Sequence, residues 1–139
     1  MTTTPSIDQD RLVDELLHLA TFSDHPAPAV TRVVFTERDR EARVWLKARF
    51  AEAGLEVRED AIGNTYARWR GSDTSAAPVA TGSHIDAIPH AGLYDGCVGV
   101  LGGLEAIRAL QRAGMRPRRS IDLIVFTSEE PTRFGIGCT

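Results

Sequence analysis

Five side chains in this sequence have the types and placement for metal-assisted hydrolysis. The stretch ATGSHIDAIPHAGLYDGCVGV, residues 80–100, sets His84, Asp86 and Asp95 among glycines and small apolar residues. A second stretch, IVFTSEEPTRFG, puts Glu129 and Glu130 at the end of an apolar run. Brought together, four carboxylates and one imidazole repel unless a cation sits among them. A divalent ion relieves that repulsion, and mixed nitrogen and oxygen donors suit zinc, manganese or cobalt. His84 and Asp86 lie two apart, so in an extended segment they face the same way, and Asp86 can take the far N–H of the imidazole. Asp95 sits on a separate loop where its two oxygens can bridge two ions. Adjacent residues at a strand end point to opposite sides, so only one of Glu129 and Glu130 need bind metal, which leaves the other to handle a proton.

Two buried strands must bring these residues together. PVATGSH rises into the first cluster, and SIDLIVFTS (120–128), apolar on both faces as in the middle of a sheet, leads to the second. Between them Gly96–Ala113 has helical periodicity, and Gly114 is a natural stop. Four glycines in that span, Gly96, Gly99, Gly102 and Gly103, each cost roughly 1 kcal/mol relative to alanine, which calls for a helix lying very close to the sheet, with direct backbone contact to a ligand as the alternative. If the two strands are parallel neighbours joined by this helix, all five residues converge beyond their carboxyl ends, where open α/β sheets place their sites. Upstream, a helix is expected from Ile7 with Ser6 as N-cap and with Leu12, Val13, Leu16, Leu17 and Leu19 on its apolar positions, broken by SDHPAPAV. Thr36 should cap a second helix with Val44, Trp45, Ala48, Phe50 and Ala51 on its apolar side and Gly54 just past its end. LEVRED and TYARWR around AIGN read as two paired strands. The expected class is α/β, a mixed sheet flanked by helices.

A net charge of −3 and a pI near 5.8 leave no basic stripe, which argues against nucleic acid or an anionic membrane as partner. Cys97 and Cys138 are too few for a disulfide scaffold, no signal peptide is apparent, and no apolar run is long enough to span a bilayer, so a cytoplasmic location is expected. Cys97 is expected as a small core residue, with a thiol activated by the helix start as the alternative. His90 is expected to make a surface or turn contact, and His18 and His25 to be exposed. Nucleophile-elbow, zincin and phosphate-loop motifs are absent, and the glycines follow G-x-x-G-x-x-G instead of the dinucleotide fingerprint.

The segments GSHIDAIPHAGLYDGCVGVLGGLEAIRAL and FTSEEPTRFGIGC, with VTRVVFTERDREARVWL and DAIGN upstream, resemble the metal-dependent amidohydrolases of the carbamoylase and allantoate amidohydrolase group. That group belongs to a wider family of two-metal aminoacylases and peptidases, and GSHIDAIP and SEEPTRFGIGC are most similar to its ureidoglycolate amidohydrolase branch. The resemblance implies that His84 binds one metal ion, zinc or manganese, that Asp95 bridges two, and that Glu130 binds the other. It implies that Glu129 is the general base and that Asp86 orients His84. The implied substrate is a small ureido or amide compound, with ammonia, carbon dioxide and an amine or hydroxy acid as products from a ureido acid.

Members of that group are about three times longer, with further metal-binding histidines and an inserted lid domain through which full-length relatives dimerise. Residues 1–139 are therefore expected to be the N-terminal part of the catalytic domain, the first half of a two-metal aminopeptidase-like fold, inactive alone. Aminoacylase or peptidase activity is the alternative within the family. A non-catalytic, partner-binding role is the alternative outside it.

Overall fold

The computed structural model describes residues 4–137. Nine elements follow in chain order: α1 (Gln9–Thr21), β1 (Val30–Arg32), α2 (Glu37–Glu52), β2 (Glu56–Glu59), β3 (Thr65–Trp69), β4 (Val79–His84), β5 (Ala87–Ala91), α3 (Cys97–Arg112) and β6 (Ile121–Phe126). Four strands form a mixed sheet in the order β2-β3-β6-β4, in which only the β4–β6 pair is parallel. The two long apolar segments are thus parallel neighbours joined by α3, as expected, and His84 lies opposite Phe126 at their common end.

The expected α/β class with a mixed sheet holds. Leu16 and Leu19 of α1, Ala42, Leu46 and Phe50 of α2, and Val100, Leu101, Leu104 and Ile107 of α3 form one core with Ala67, Leu123 and Val125 of the sheet. Several local expectations need correction. Asp8, not Ser6, caps α1: its carboxylate accepts from the Arg11 N–H, so the helix begins two residues later than expected. Val13 and Leu17 of α1 are exposed. The buried stripe of α2 is Asp39, Ala42, Leu46 and Phe50, while Val44 faces solvent. A buried aspartate was not anticipated; it is tolerated because Arg43 pairs with it at 3.0 Å and the Phe35 N–H donates to it. The start of β4 is exposed, because β4 is the outermost strand of the described sheet.

A second, two-stranded sheet was not foreseen. β1 pairs antiparallel with β5, Val30 against Ala91 and Arg32 against Ala87. Three residues give no usable alternation, and Pro89 demotes a strand reading of β5. Thr36, Gly54 and Gly114 occupy the cap and stop positions read from the sequence, the two glycines with φ of +73° and +72°.

Two glycines of α3, Gly99 and Gly103, have the anticipated packing reason. A Cβ on Gly99 would lie 2.6 Å from the Ser83 Cβ, and one on Gly103 would lie 2.7 Å from a Leu123 methyl. Gly102 has nothing within 4 Å. Helix α3 therefore rides against β4 at Gly99, while Gly102 is free of that constraint. Behind it, the Glu105 carboxylate is fully buried and accepts from Arg11 at 2.6 Å, Arg112 at 2.7 Å and the Asp8 N–H at 2.8 Å, which ties α3 to the start of α1. Burial opposes its charge, but those hydrogen bonds outweigh it and hold its pKa below the ordinary 4.5.

Two outcomes follow in urea unfolding. Gly99→Ala should lose stability despite better helix propensity, whereas Gly102→Ala should gain up to about 1 kcal/mol. Glu105→Gln should be destabilised at neutral pH. A depressed carboxylate stabilises above its unfolded pKa and loses that contribution as pH falls, so the gap between variant and parent should narrow below pH about 4.

Candidate metal centre

β4 delivers His84 and β5 carries the chain away, with Ile85 and Asp86 at the corner between them. The His84 ring is buried, and its Nδ1 lies 2.9 Å from the Asp86 main-chain carbonyl and 3.5 Å from an Asp86 carboxylate oxygen. The expected Asp86 contact to the far ring nitrogen is present, with the carbonyl as the nearer acceptor. With Nδ1 so held, Nε2 is the nitrogen turned toward the acids: 3.4 Å from Glu129 Oε2 and 4.0 Å from Asp95 Oδ1. His84, Asp95 and Glu130 each offer one ligand atom, all within 4.8 Å of one another.

Asp95 stands in the turn before α3, where the Cys97 N–H bonds back to its carbonyl at 2.7 Å. Gly96 follows with φ +66°, and a Cβ there would lie 2.6 Å from His84 Nε2. The residue beside the imidazole must therefore be glycine both for its backbone and for space.

The Glu129–Glu130 end differs from the alternating strand end expected. β6 stops at Phe126, and Ser128 takes φ +59°, which breaks the alternation and turns both glutamates toward His84. The Asp86 carboxylate accepts from the Glu130 N–H at 3.0 Å and the Glu129 N–H at 3.4 Å. One aspartate thus clamps the ends of both parallel strands. Upstream, the Asn64 side chain of the AIGN turn accepts the Thr127 N–H at 2.8 Å, and Arg43 reaches Thr127 Oγ1 and the Gly63 carbonyl, both at 3.3 Å. Asn64 and Arg43 were not singled out in the sequence. The DAIGN motif was the signal that could have pointed to Asn64.

The electrostatics of the cluster favour positive charge and disfavour further negative charge. Burial disfavours the His84 imidazolium, but the Asp86 hydrogen bonds and charge, with the charge of Glu129, outweigh it and raise the pKa to about 9. Burial raises the Glu130 pKa, and the neighbouring charges of Glu129, Asp95 and Asp86 add to that rise against the pull of His84. The donor set of one imidazole nitrogen and carboxylate oxygens, with the other ring nitrogen already bonded, could hold a divalent metal ion.

The other expected roles divide. Cys97 is 3 % exposed and burial raises its thiol pKa, so it is the small core residue and not the activated thiol. Cys138 lies outside the described residues. His18 and His25 are exposed, and His90 is an exposed residue of β5 whose N–H donates to Thr31 Oγ1 of β1, a surface position and not a turn. An apolar cleft of about 530 Å³ between Phe35, Ile62 and Phe134 touches Thr127 and Ser128 but none of the five site residues. Among the described residues no helix is long and apolar enough to cross a membrane.

With this fold and site in view, the class is defined: the chain belongs to Peptidase family M28, whose sequence model matches residues 64–136, just over half of it. Among individual relatives, it is 55% identical over 132 residues to a ureidoglycolate hydrolase of Oryza sativa subsp. japonica, covering 95% of this chain and 27% of that protein. It is 37% identical over 131 residues to an N-carbamoyl-L-amino acid amidohydrolase of Geobacillus stearothermophilus, covering 94% of this chain and 32% of that protein. The crystal structure of AtUAH in complex with glyoxylate superposes with a TM-score of 0.94 at 55% identity, over 96% of this chain and 31% of that one. The chain thus spans under a third of the length of the relatives it matches.

An NMR titration of the His84 ring with chelator present should give a midpoint near 9. Asp86→Asn should bring it down by more than one unit, since burial then acts with less opposition. The raised value has a stability counterpart: the contribution is complete below the ordinary 6.5 and is lost as pH rises through about 9.

Proposed function

We propose that these residues form part of a two-metal hydrolase site acting on carbon–nitrogen bonds of small ureido or amide compounds, with ureidoglycolate as the first candidate substrate. The observation that carries this reading is the convergence of His84 Nε2, Asp95 and Glu130 within 4.8 Å, in a chain 55% identical to ureidoglycolate hydrolases. The similarity to N-carbamoyl amino acid amidohydrolases, at 37% and 38% identity, supports an N-carbamoyl amino acid as the second candidate.

In this reading His84 and Glu130 each hold one ion, zinc or manganese, and Asp95 is shared between them. Bound there, such ions would polarise the scissile carbonyl and acidify a water. Glu129, about half exposed and 3.4 Å from the His84 ring, is placed to take a proton from that water and return it to the leaving nitrogen. Asp86 does no proton transfer; it holds the His84 ring through Nδ1 and fixes the backbone of both glutamates. Three donor side chains, one shared, leave two ions short of four ligands each. We therefore take residues 1–139 as one part, N-terminal by resemblance, of a longer catalytic domain.

Isothermal titration with zinc or manganese tests the reading without requiring turnover. Asp95→Ala and His84→Ala should each weaken binding at least tenfold, about 1.4 kcal/mol, and Glu129→Gln should leave it within about threefold. Unchanged affinity in Asp95→Ala would show the ligand assignment to be wrong.

A further inference from the structure

Arg32 heads the fully buried side chains by volume, at 1 % exposure, yet among the described residues no carboxylate lies within ion-pair distance of it. Its guanidinium is satisfied by other groups. Nε donates to the Ile85 carbonyl at 2.7 Å, Nη1 to the Leu19 and Phe22 carbonyls at 2.9 and 2.8 Å, and Nη2 to the Cys97 sulfur at 3.3 Å. Leu19 and Phe22 are at the carbonyl end of α1, where a cation is favoured. Ile85 stands between His84 and Asp86, and Cys97 stands two residues after Asp95. The main chain of Arg32 also pairs in register with Ala87, next after Asp86. One side chain, anchored to α1, thus reaches both segments that carry the cluster.

A buried charge with no carboxylate paired directly to it, only the more distant charges of Asp39 and Asp86, is an expensive way to fill a core, and an apolar residue of similar volume often serves stability as well. What an apolar side chain cannot do is hold a carbonyl and a thiol at fixed separation. A planar fork with five donors can.

We propose that Arg32 is a positioning residue for the metal centre, a strut that sets the spacing between the His84–Asp86 corner and the Asp95 turn. The inference rests on the metal reading above. Arg32→Lys keeps charge and stem but loses the fork. Arg108→Gln, which removes the 2.7 Å bond to Glu15 away from the cluster, serves as the stability control. Thermal midpoints would be taken with chelator, and zinc affinity by calorimetry at a temperature where all variants are folded. Arg32→Lys should bind zinc at least about tenfold more weakly, in the range typical for lost ligand-orienting contacts, while Arg108→Gln binds as the parent does. Should Arg32→Lys not fold, Cys97→Ala cuts the same strut from its other end and should weaken binding by about threefold or more. Parent-like affinity in the folded Arg32 variant, or in Cys97→Ala, overturns the proposal while leaving the metal reading intact. So does equal weakening in Arg32→Lys and Arg108→Gln. No zinc binding by the parent chain overturns both.

Discussion

Asp86 is the constraint on which the site depends. Its carbonyl fixes one face of the His84 imidazole, and its carboxylate gathers the N–H groups of Glu129 and Glu130. A single residue therefore links the ends of two parallel strands whose backbones otherwise meet only through the sheet ladder. Burial pushes its carboxyl pKa up, but the His84 imidazole and the two backbone N–H bonds outweigh that and hold it low. Acidic side chains that would splay apart in water are thus set facing one another by backbone hydrogen bonds. The repulsion among them remains, and a divalent cation would relieve it.

Behind that clamp the interior is organised by buried charges as much as by apolar packing. Asp39 and Arg43 brace Phe35 and Thr127, Glu105 collects Arg11 and Arg112, and Arg32 joins α1 to both halves of the site. Each such group depends on its partners, since an unpaired charge would be far more costly than an apolar substitute, and only Arg43 Nη2 among the atoms of these groups is buried without one in the described residues. The gain is geometric. Directional bonds fix loops that hydrophobic contact alone would leave free to slide.

The sequence carried the strand–helix–strand frame well, because apolar runs, a glycine-rich helix and polar clusters at strand ends are local signals. His84, Asp86, Asp95, Glu129 and Glu130 could be placed on one rim from that frame, and the structure brings all five to it. Nothing in the sequence marks Ser128 for a left-handed conformation, since serine carries no sign of positive φ, and so the glutamates were expected to diverge. The buried side of α2 was misread because Asp39 counts as polar until its partner Arg43 and the Phe35 N–H are seen. Arg32 was invisible for a related reason. Its acceptors are main-chain carbonyls and a thiol scattered from Leu19 to Cys97, and no periodicity in VTR announces them.

The clamp at Asp86 also has a temporal side. Its contacts with Glu129 and Glu130 close loops of 43 and 44 residues, and those of Arg32 to Ile85 and Cys97 close loops of 53 and 65. Such distant contacts are entropically late events in folding, since each long loop must close before its contact can reward it. The acidic pocket therefore cannot exist in a partly folded chain that has formed only α3 or the β2–β3 hairpin. Its carboxylates can meet only once β6 is seated beside β4, so the pocket is a property of the assembled sheet and not of any one local segment.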